Sequence, residues 1–190
     1  MGSYHSLCYS CWNKLTIMLE IVNEDQDIII KSFANYCSIT SCLISDLKYN
    51  DKVENVTLLS KFLYLAYQDF AEEIDLIIPI PMHWSDFYQR KYNHIGIIAK
   101  KLSILANKQM DFNSLVKIKK TKKQVNLSKK ERMVNLKNAF TMINKKNVIG
   151  KKILLIDDVV TTGSTLTECA KILLKNGASK VLGLTISSVK

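Results

Sequence analysis

The stretch that most limits how this 190-residue chain can fold is Ile153-Leu-Leu-Ile-Asp-Asp-Val-Val-Thr-Thr-Gly-Ser-Thr165. Four consecutive apolar residues read as a buried strand that delivers Asp157 and Asp158 to its carboxyl end. A hydroxyl-rich turn follows. Residues 164–176 then have the pattern of a helix that stops at Gly177 in the usual position after the last turn, and 181–186 form a second apolar strand. This is a β-α-β unit, and a crossover of that kind makes the two strands parallel. Upstream, Val56, Leu59, Leu63, Ala66 and Phe70 recur at helical spacing, 75–81 reads as a short buried strand closed by Pro79 and Pro81, 95–106 as a helix, and 115–118 as a strand. Apolar strands alternating with helices predict an α/β fold with a mostly parallel central sheet flanked by helices. In such folds ligands sit beyond the carboxyl ends of the strands.

The turn itself carries chemistry. Thr161, Thr162, Gly163, Ser164 and Thr165 place hydroxyls, backbone N–H groups and the positive end of a helix where they can converge on one anion, so the turn reads as a phosphate cradle. Gly163 suits it because glycine accepts positive φ and lets a ligand approach the backbone. Two carboxylates beside a phosphate repel it unless they face something else, and sugar hydroxyls or Mg²⁺ both qualify. No Gly-Lys-Ser/Thr P-loop and no G-x-G-x-x-G turn is present. A receiver domain also pairs acids at a strand end, but only 32 residues follow Asp158, too few to complete that fold.

The net charge of +10 is concentrated in one segment. Residues 1–99 carry 7 basic and 12 acidic side chains, 100–152 carry 16 and 2, and 153–190 carry 4 and 3. The run Lys119, Lys120, Lys122, Lys123, Lys129, Lys130, Arg132 therefore admits three readings: a cover for a polyanionic ligand, a nucleic-acid contact, or a solvated face. Of the 27 cations only Arg90 and Arg132 are arginine, and coding bias alone explains part of the lysine excess. No apolar run reaches the ~18 residues of a membrane span, and no leader pattern is evident, so a soluble, cytoplasmic protein is expected.

The strand, acidic pair and Thr-Thr-Gly-x-Thr turn resemble the 13-residue signature of the type I phosphoribosyltransferases. Further along, Pro79-Ile-Pro-Met-His83 is similar to a Pro-x-Pro-Leu-His turn, Arg90-Lys-Tyr-Asn-His94 to Arg-Gly-Phe-Asn-Gln, and Thr121, Gln124, Leu127, Arg132, Asn135 and Ala139-Phe140 keep the order of a T-x-x-Q-x-x-L-x-x-x-x-R-x-x-N-x-x-x-A-F pattern. Together these resemble the ComF/GntX family of competence-associated proteins from about Lys48 onward. The resemblance implies a short, degenerate N-terminal segment (1–47) before a phosphoribosyltransferase-like domain (48–190). It implies that Thr161–Thr165 hold the 5′-phosphate of phosphoribosyl pyrophosphate (PRPP) or of a nucleotide, that Asp157 and Asp158 face the ribose hydroxyls and Mg²⁺ as the catalytic pair, and that Pro81, His83, Arg90, Asn93 and Arg132 belong to the pyrophosphate loop or hood. Thr161 stands where the 6-oxopurine enzymes of the fold carry an Asp, which argues against hypoxanthine or guanine as acceptor. The implied reaction transfers a phosphoribosyl group with release of pyrophosphate. The alternative is a non-enzymatic DNA-uptake factor whose basic segment contacts single-stranded DNA or a helicase partner.

The family's N-terminal zinc segment carries more than one Cys-x-x-C, whereas this chain has only Cys8-Tyr-Ser-Cys11. Four-coordinate zinc needs two further ligands. Cys37 and Cys42 have the wrong spacing, so Cys8 and Cys11 are read either as a remnant Zn²⁺ site or as reduced thiols. His83 and His94 are read as acid/base or pyrophosphate contacts, or as hydrogen-bonded structural residues; Arg90 as a phosphate contact or a surface charge. Cys169 follows the apolar face of the last helix and is expected in the core.

Overall fold

The structure is a computed structural model that describes residues 7–25, 28–71, 73–121 and 129–189. A short helix α1 (Tyr9–Asn13) leads into a hairpin of β1 (Ile17–Asp25) and β2 (Ile28–Asn35). Then follow α2 (Ser38–Tyr49), α3 (Asn55–Tyr67) with a 3₁₀ turn at Gln68–Phe70, β3 (Leu76–Pro79), α4 (Trp84–Arg90), α5 (His94–Leu105) and β4 (Gln109–Met110). The chain continues through β5 (Leu115–Lys117), α6 (Lys129–Leu136), β6 (Phe140–Met142), β7 (Lys152–Val160), α7 (Ser164–Lys175) and β8 (Lys180–Ser188).

Six strands form one sheet in the order β1-β2-β8-β7-β3-β4, parallel throughout except for the β1–β2 pair, and β5 with β6 makes a separate antiparallel ribbon. The α/β sheet predicted from the alternation of strands and helices is the one observed. It is covered on both faces. Leu154 and Ile156 point into a layer with α2, α3 and α5, while Ile153 and Leu155 point into a layer with α6 and α7. In the first layer Phe33 stacks on Phe62 with ring centroids 4.3 Å apart. Each fully buried Leu or Ile contributes about 1.5–3 kcal/mol, and the central strands supply them in unbroken runs because both faces are dry.

Two elements differ from the sequence reading. Residues 1–47 were expected as a segment apart from the domain beginning at Lys48, yet β2 pairs in parallel with β8 along Ile29–Leu182 to Asn35–Ser188. Leu15, Phe33, Ile44 and Leu47 lie in the same core as Leu59 and Leu63. The stretches 15–25 and 28–47 are thus built into the sheet and its covering layer. The expected strands 153–156 and 181–186 also extend, to Val160 and Ser188, because their parallel register continues through Asp157–Thr185 and Val160–Ser188. Cys169 is buried in the second layer, as its helical phase predicts.

Candidate functional site

Successive side chains of a strand point to opposite faces, so two adjacent acids within β7 cannot share an environment. Asp158 continues the Leu154–Ile156 face and meets α2 and α5. The ammonium of Lys48, in the last turn of α2, forms an ion pair with its Oδ2, and His94 Nε2, on the first residue of α5, lies 2.8 Å from the same oxygen. The Val159 N–H donates to Oδ1 at 2.7 Å. Burial by itself would raise the Asp158 carboxyl, but the charge of Lys48 and the bonds from His94 and Lys48 hold it well below the ordinary carboxylate range. An ionised carboxylate can only accept, so His94 donates through Nε2–H. Burial pushes the imidazole below its usual value against the pull of Asp158, which keeps it neutral, and its Nδ1 is buried with no hydrogen-bond partner among the described residues.

Asp157 belongs to the other face. It is half-buried, accepts the Asp158 N–H at 2.8 Å, and is pushed up to about 7 by burial and by the neighbouring Asp158 charge, with Lys48 and Lys117 pulling the other way. Lys117, at the end of β5, lies on this side with its Nζ 5.7 Å from the Phe140 ring centroid, and burial lowers its ammonium. Sequence reasoning started the basic run two residues later and passed over Lys117. It also passed over Lys48, which marked only the point from which the family resemblance begins.

After Val160 the chain turns sharply. Gly163 caps α7 with φ +73°, a conformation that a β-carbon would strain. Thr162 Oγ1 and Ser164 Oγ lie 2.7 Å apart, and the Ser164 N–H reaches Thr162 Oγ1 at 3.5 Å. The first-turn N–H groups of the 12-residue α7 point out at this loop with the positive end of the helix behind them. The predicted cradle Thr161–Thr165 and the acidic pair are therefore contiguous at the carboxyl end of β7.

The β3–α4 turn flanks them, since the Ile80 N–H donates to the Ile156 carbonyl at 2.9 Å. Pro81 is half-buried in that turn. Two of the candidates for the pyrophosphate loop or hood each cap a helix through one side-chain atom. His83 is 5% exposed, its Nδ1 accepts the Ser85 N–H at 3.3 Å to start α4, and the Ser85 hydroxyl lies 2.9 Å from the same nitrogen. Asn93 is 7% exposed and accepts the Gly96 N–H at 3.0 Å to start α5. Arg90 ends α4 with its guanidinium 5.4 Å from the Tyr49 ring centroid, beside the Lys48–His94 cluster. Arg132 falls on α6, but its side chain, like Lys122 and Lys123, lies outside the described residues; Lys119 and Lys120 are exposed.

The phosphoribosyl transferase domain model matches residues 92–187, just over half of the chain and the β7–α7–β8 unit except its last residue. A DNA utilization protein YhgH of Escherichia coli O157:H7 is 35% identical over 153 residues, 78% of this chain and 66% of that protein. Competence protein F of Haemophilus influenzae is 34% identical over 163 residues, 83% of this chain and 70% of that protein. The chain belongs to the competence-protein-F-like branch of the phosphoribosyl transferase domain family. A solved purine phosphoribosyltransferase from Pyrococcus horikoshii covers 70% of this chain and 81% of its own at 15% identity, with a TM-score of 0.42. This chain spans about two thirds of the length of its YhgH relative.

The family's usual divalent ion can be tested against the donor set of this family member. Mg²⁺ takes one or two carboxylates plus ligand oxygens and keeps several waters. Asp157 fits such a position. Asp158 does not, because its oxygens already face Lys48, His94 and a backbone N–H. Among the described residues no group of three or more His, Cys, Asp or Glu is placed to hold a metal. At the N-terminus Cys8 is exposed and its thiol is lowered by the Cys11 N–H and thiol, while Cys37 caps α2 in a reciprocal box with Thr40. No helix among the described residues is long and apolar enough to cross a membrane.

Proposed function

We propose that this protein binds PRPP or a nucleotide 5′-phosphate, with the phosphate on Thr161–Thr165 and the ribose hydroxyls toward Asp157, and that it transfers the phosphoribosyl group with release of pyrophosphate. The observation that carries this reading is the positive-φ Gly163 at the start of α7, three residues after a strand that carries Asp157 and Asp158 near its carboxyl end. A phosphate there is met by N–H groups already oriented by the helix, so little reorganisation is needed on binding. A carboxylate at Asp157 accepts from a ribose hydroxyl and fixes the sugar, which holds C1′ in place for attack by a nitrogen nucleophile. Mg²⁺, when bound, neutralises pyrophosphate as it leaves, and Asp157 is the side chain of the pair that could hold it.

Calorimetric titration with PRPP in the presence of Mg²⁺ tests the assignment. Thr162→Val, which keeps shape but removes a hydroxyl, is expected to bind about tenfold more weakly, the worth of one hydrogen bond to a charged group. Absence of binding by the wild type, or equal binding by Thr162→Val and Asp157→Ala, overturns it.

A second reading, single-stranded DNA binding, is favoured by one separate observation. Trp84, Phe87 and Tyr88 occupy neighbouring positions on α4 and are 66, 47 and 79% exposed, with Trp84 and Tyr88 in an edge-to-face contact at 6.1 Å. Exposed rings beside Arg90 and Lys91 offer stacking surface that is sparse in the basic segment, where Phe112 is exposed and Phe140 buried. Trp84→Ala and Tyr88→Ala should each weaken oligonucleotide binding by about 1–3 kcal/mol, with log affinity falling against log salt by about 0.7 per phosphate contacted. Salt-insensitive or absent binding removes this reading.

A further inference from the structure

Lys48 sits on a well-fixed post. Leu47 beside it is fully buried, the Leu47 carbonyl accepts the Tyr92 hydroxyl, and the Tyr49 ring lies under the Arg90 guanidinium. The Lys48 side chain is only 21% exposed and its Asp158 partner 11%, so the ammonium is held against that carboxylate rather than drifting in solvent. A carboxylate offers about four lone-pair directions. At Asp158 the Val159 N–H takes one oxygen, and His94 and Lys48 take the other.

We propose that Lys48 is the resident cation of the acidic pair: its ammonium neutralises Asp158, keeps divalent metal off that carboxylate, and leaves Asp157 as the only acid of the pair that meets ligand. The charge consequence is direct. Two adjacent carboxylates at the mouth of a phosphate site repel an incoming phosphate, and cancelling one of them from within the protein halves that repulsion without a metal ion. Lys48 is a positioning residue in this scheme; it acts on ligand through Asp158. That Asp157 meets a phosphoribosyl ligand rests on the function proposed above, whereas the exclusion of metal from Asp158 does not.

The test uses Mn²⁺ alone as probe, read by electron paramagnetic resonance on the ligand-free full chain. Wild type and Lys48→Arg should show no Mn²⁺ site that depends on Asp158. Lys48→Met should gain one about tenfold tighter than anything in the wild type, since a carboxylate released from its ammonium regains the capacity to ligate. The double variant Lys48→Met/Asp158→Asn should lose it again. Lys48→Gln, which can still donate a hydrogen bond to Asp158, covers the case in which the methionine variant does not fold, and should gain the same site. Mn²⁺ binding by the wild type that Asp158→Asn abolishes, or no gain in any folded variant lacking the charge at position 48, overturns the proposal. PRPP titration of the wild type reports separately on the proposed function, so the two failures are distinguishable.

Discussion

Asp158→Asn should destabilise the protein by about 3 kcal/mol at neutral pH, because removing one partner of a mostly buried ion pair leaves the other charge without compensation. The substitution keeps the size of the side chain. What it removes is the negative charge opposite Lys48 and the strong acceptor for His94 Nε2–H, two contacts that tie α2 and α5 to the end of β7. Urea unfolding at pH 7 reads the effect, and a change below about 0.5 kcal/mol would show that the pair contributes no more than an exposed one. The pH dependence has a definite sign. Asp158 is held below its unfolded value, so its stabilisation is present above the unfolded carboxylate range and is lost as pH falls from about 4 downward. The gap between wild type and Asp158→Asn should close over that acid range.

The same substitution one residue earlier should act in the opposite direction. Asp157 is pushed up to about 7, so the fold favours its protonated form and is penalised as pH rises from the unfolded value near 4 through 7. Asp157→Asn keeps an acceptor for the Asp158 N–H and drops the charge. It is expected to stabilise the chain on the order of 1–2 kcal/mol at pH 8 and to make little difference near pH 4. Binding of PRPP should fall at least about tenfold, because an amide oxygen is a weaker acceptor than a carboxylate for a sugar hydroxyl. Thermal unfolding across pH, paired with titration calorimetry, reads both effects. A destabilised Asp157→Asn at pH 8 would mean that the carboxylate is structural. A gain in stability with loss of ligand is the mark of a group retained for function.

These opposed outcomes follow from a feature that is half legible in sequence. That Asp157 and Asp158 lie toward the carboxyl end of a buried strand can be read from the four apolar residues before them, and their opposite orientation follows from the two-residue repeat of any strand. What each one faces cannot be read locally. His94 lies 64 positions from Asp158, and Lys48 lies in a helix whose start was hidden inside a stretch read as an appendage. His83 and Asn93 stand at motif positions of the pyrophosphate loop or hood, and each also caps a helix, because a polar side chain just ahead of a helix satisfies free N–H groups wherever the fold needs a start. The hairpin β1–β2 was missed because its pairing partner, β8, lies at the far end of the chain.

Sequence alone determined the β7–α7–β8 unit, the Thr161–Thr165 turn and the α/β class, since strand alternation, helix phase and the need for glycine at positive φ all act within a few residues. Only the tertiary structure decided the division of labour between the two acids. A carboxylate takes its charge state and its partners from whatever the fold packs against it, and here one face of the sheet brought a lysine and a histidine to Asp158 while the other left Asp157 half-buried on the side of Lys117.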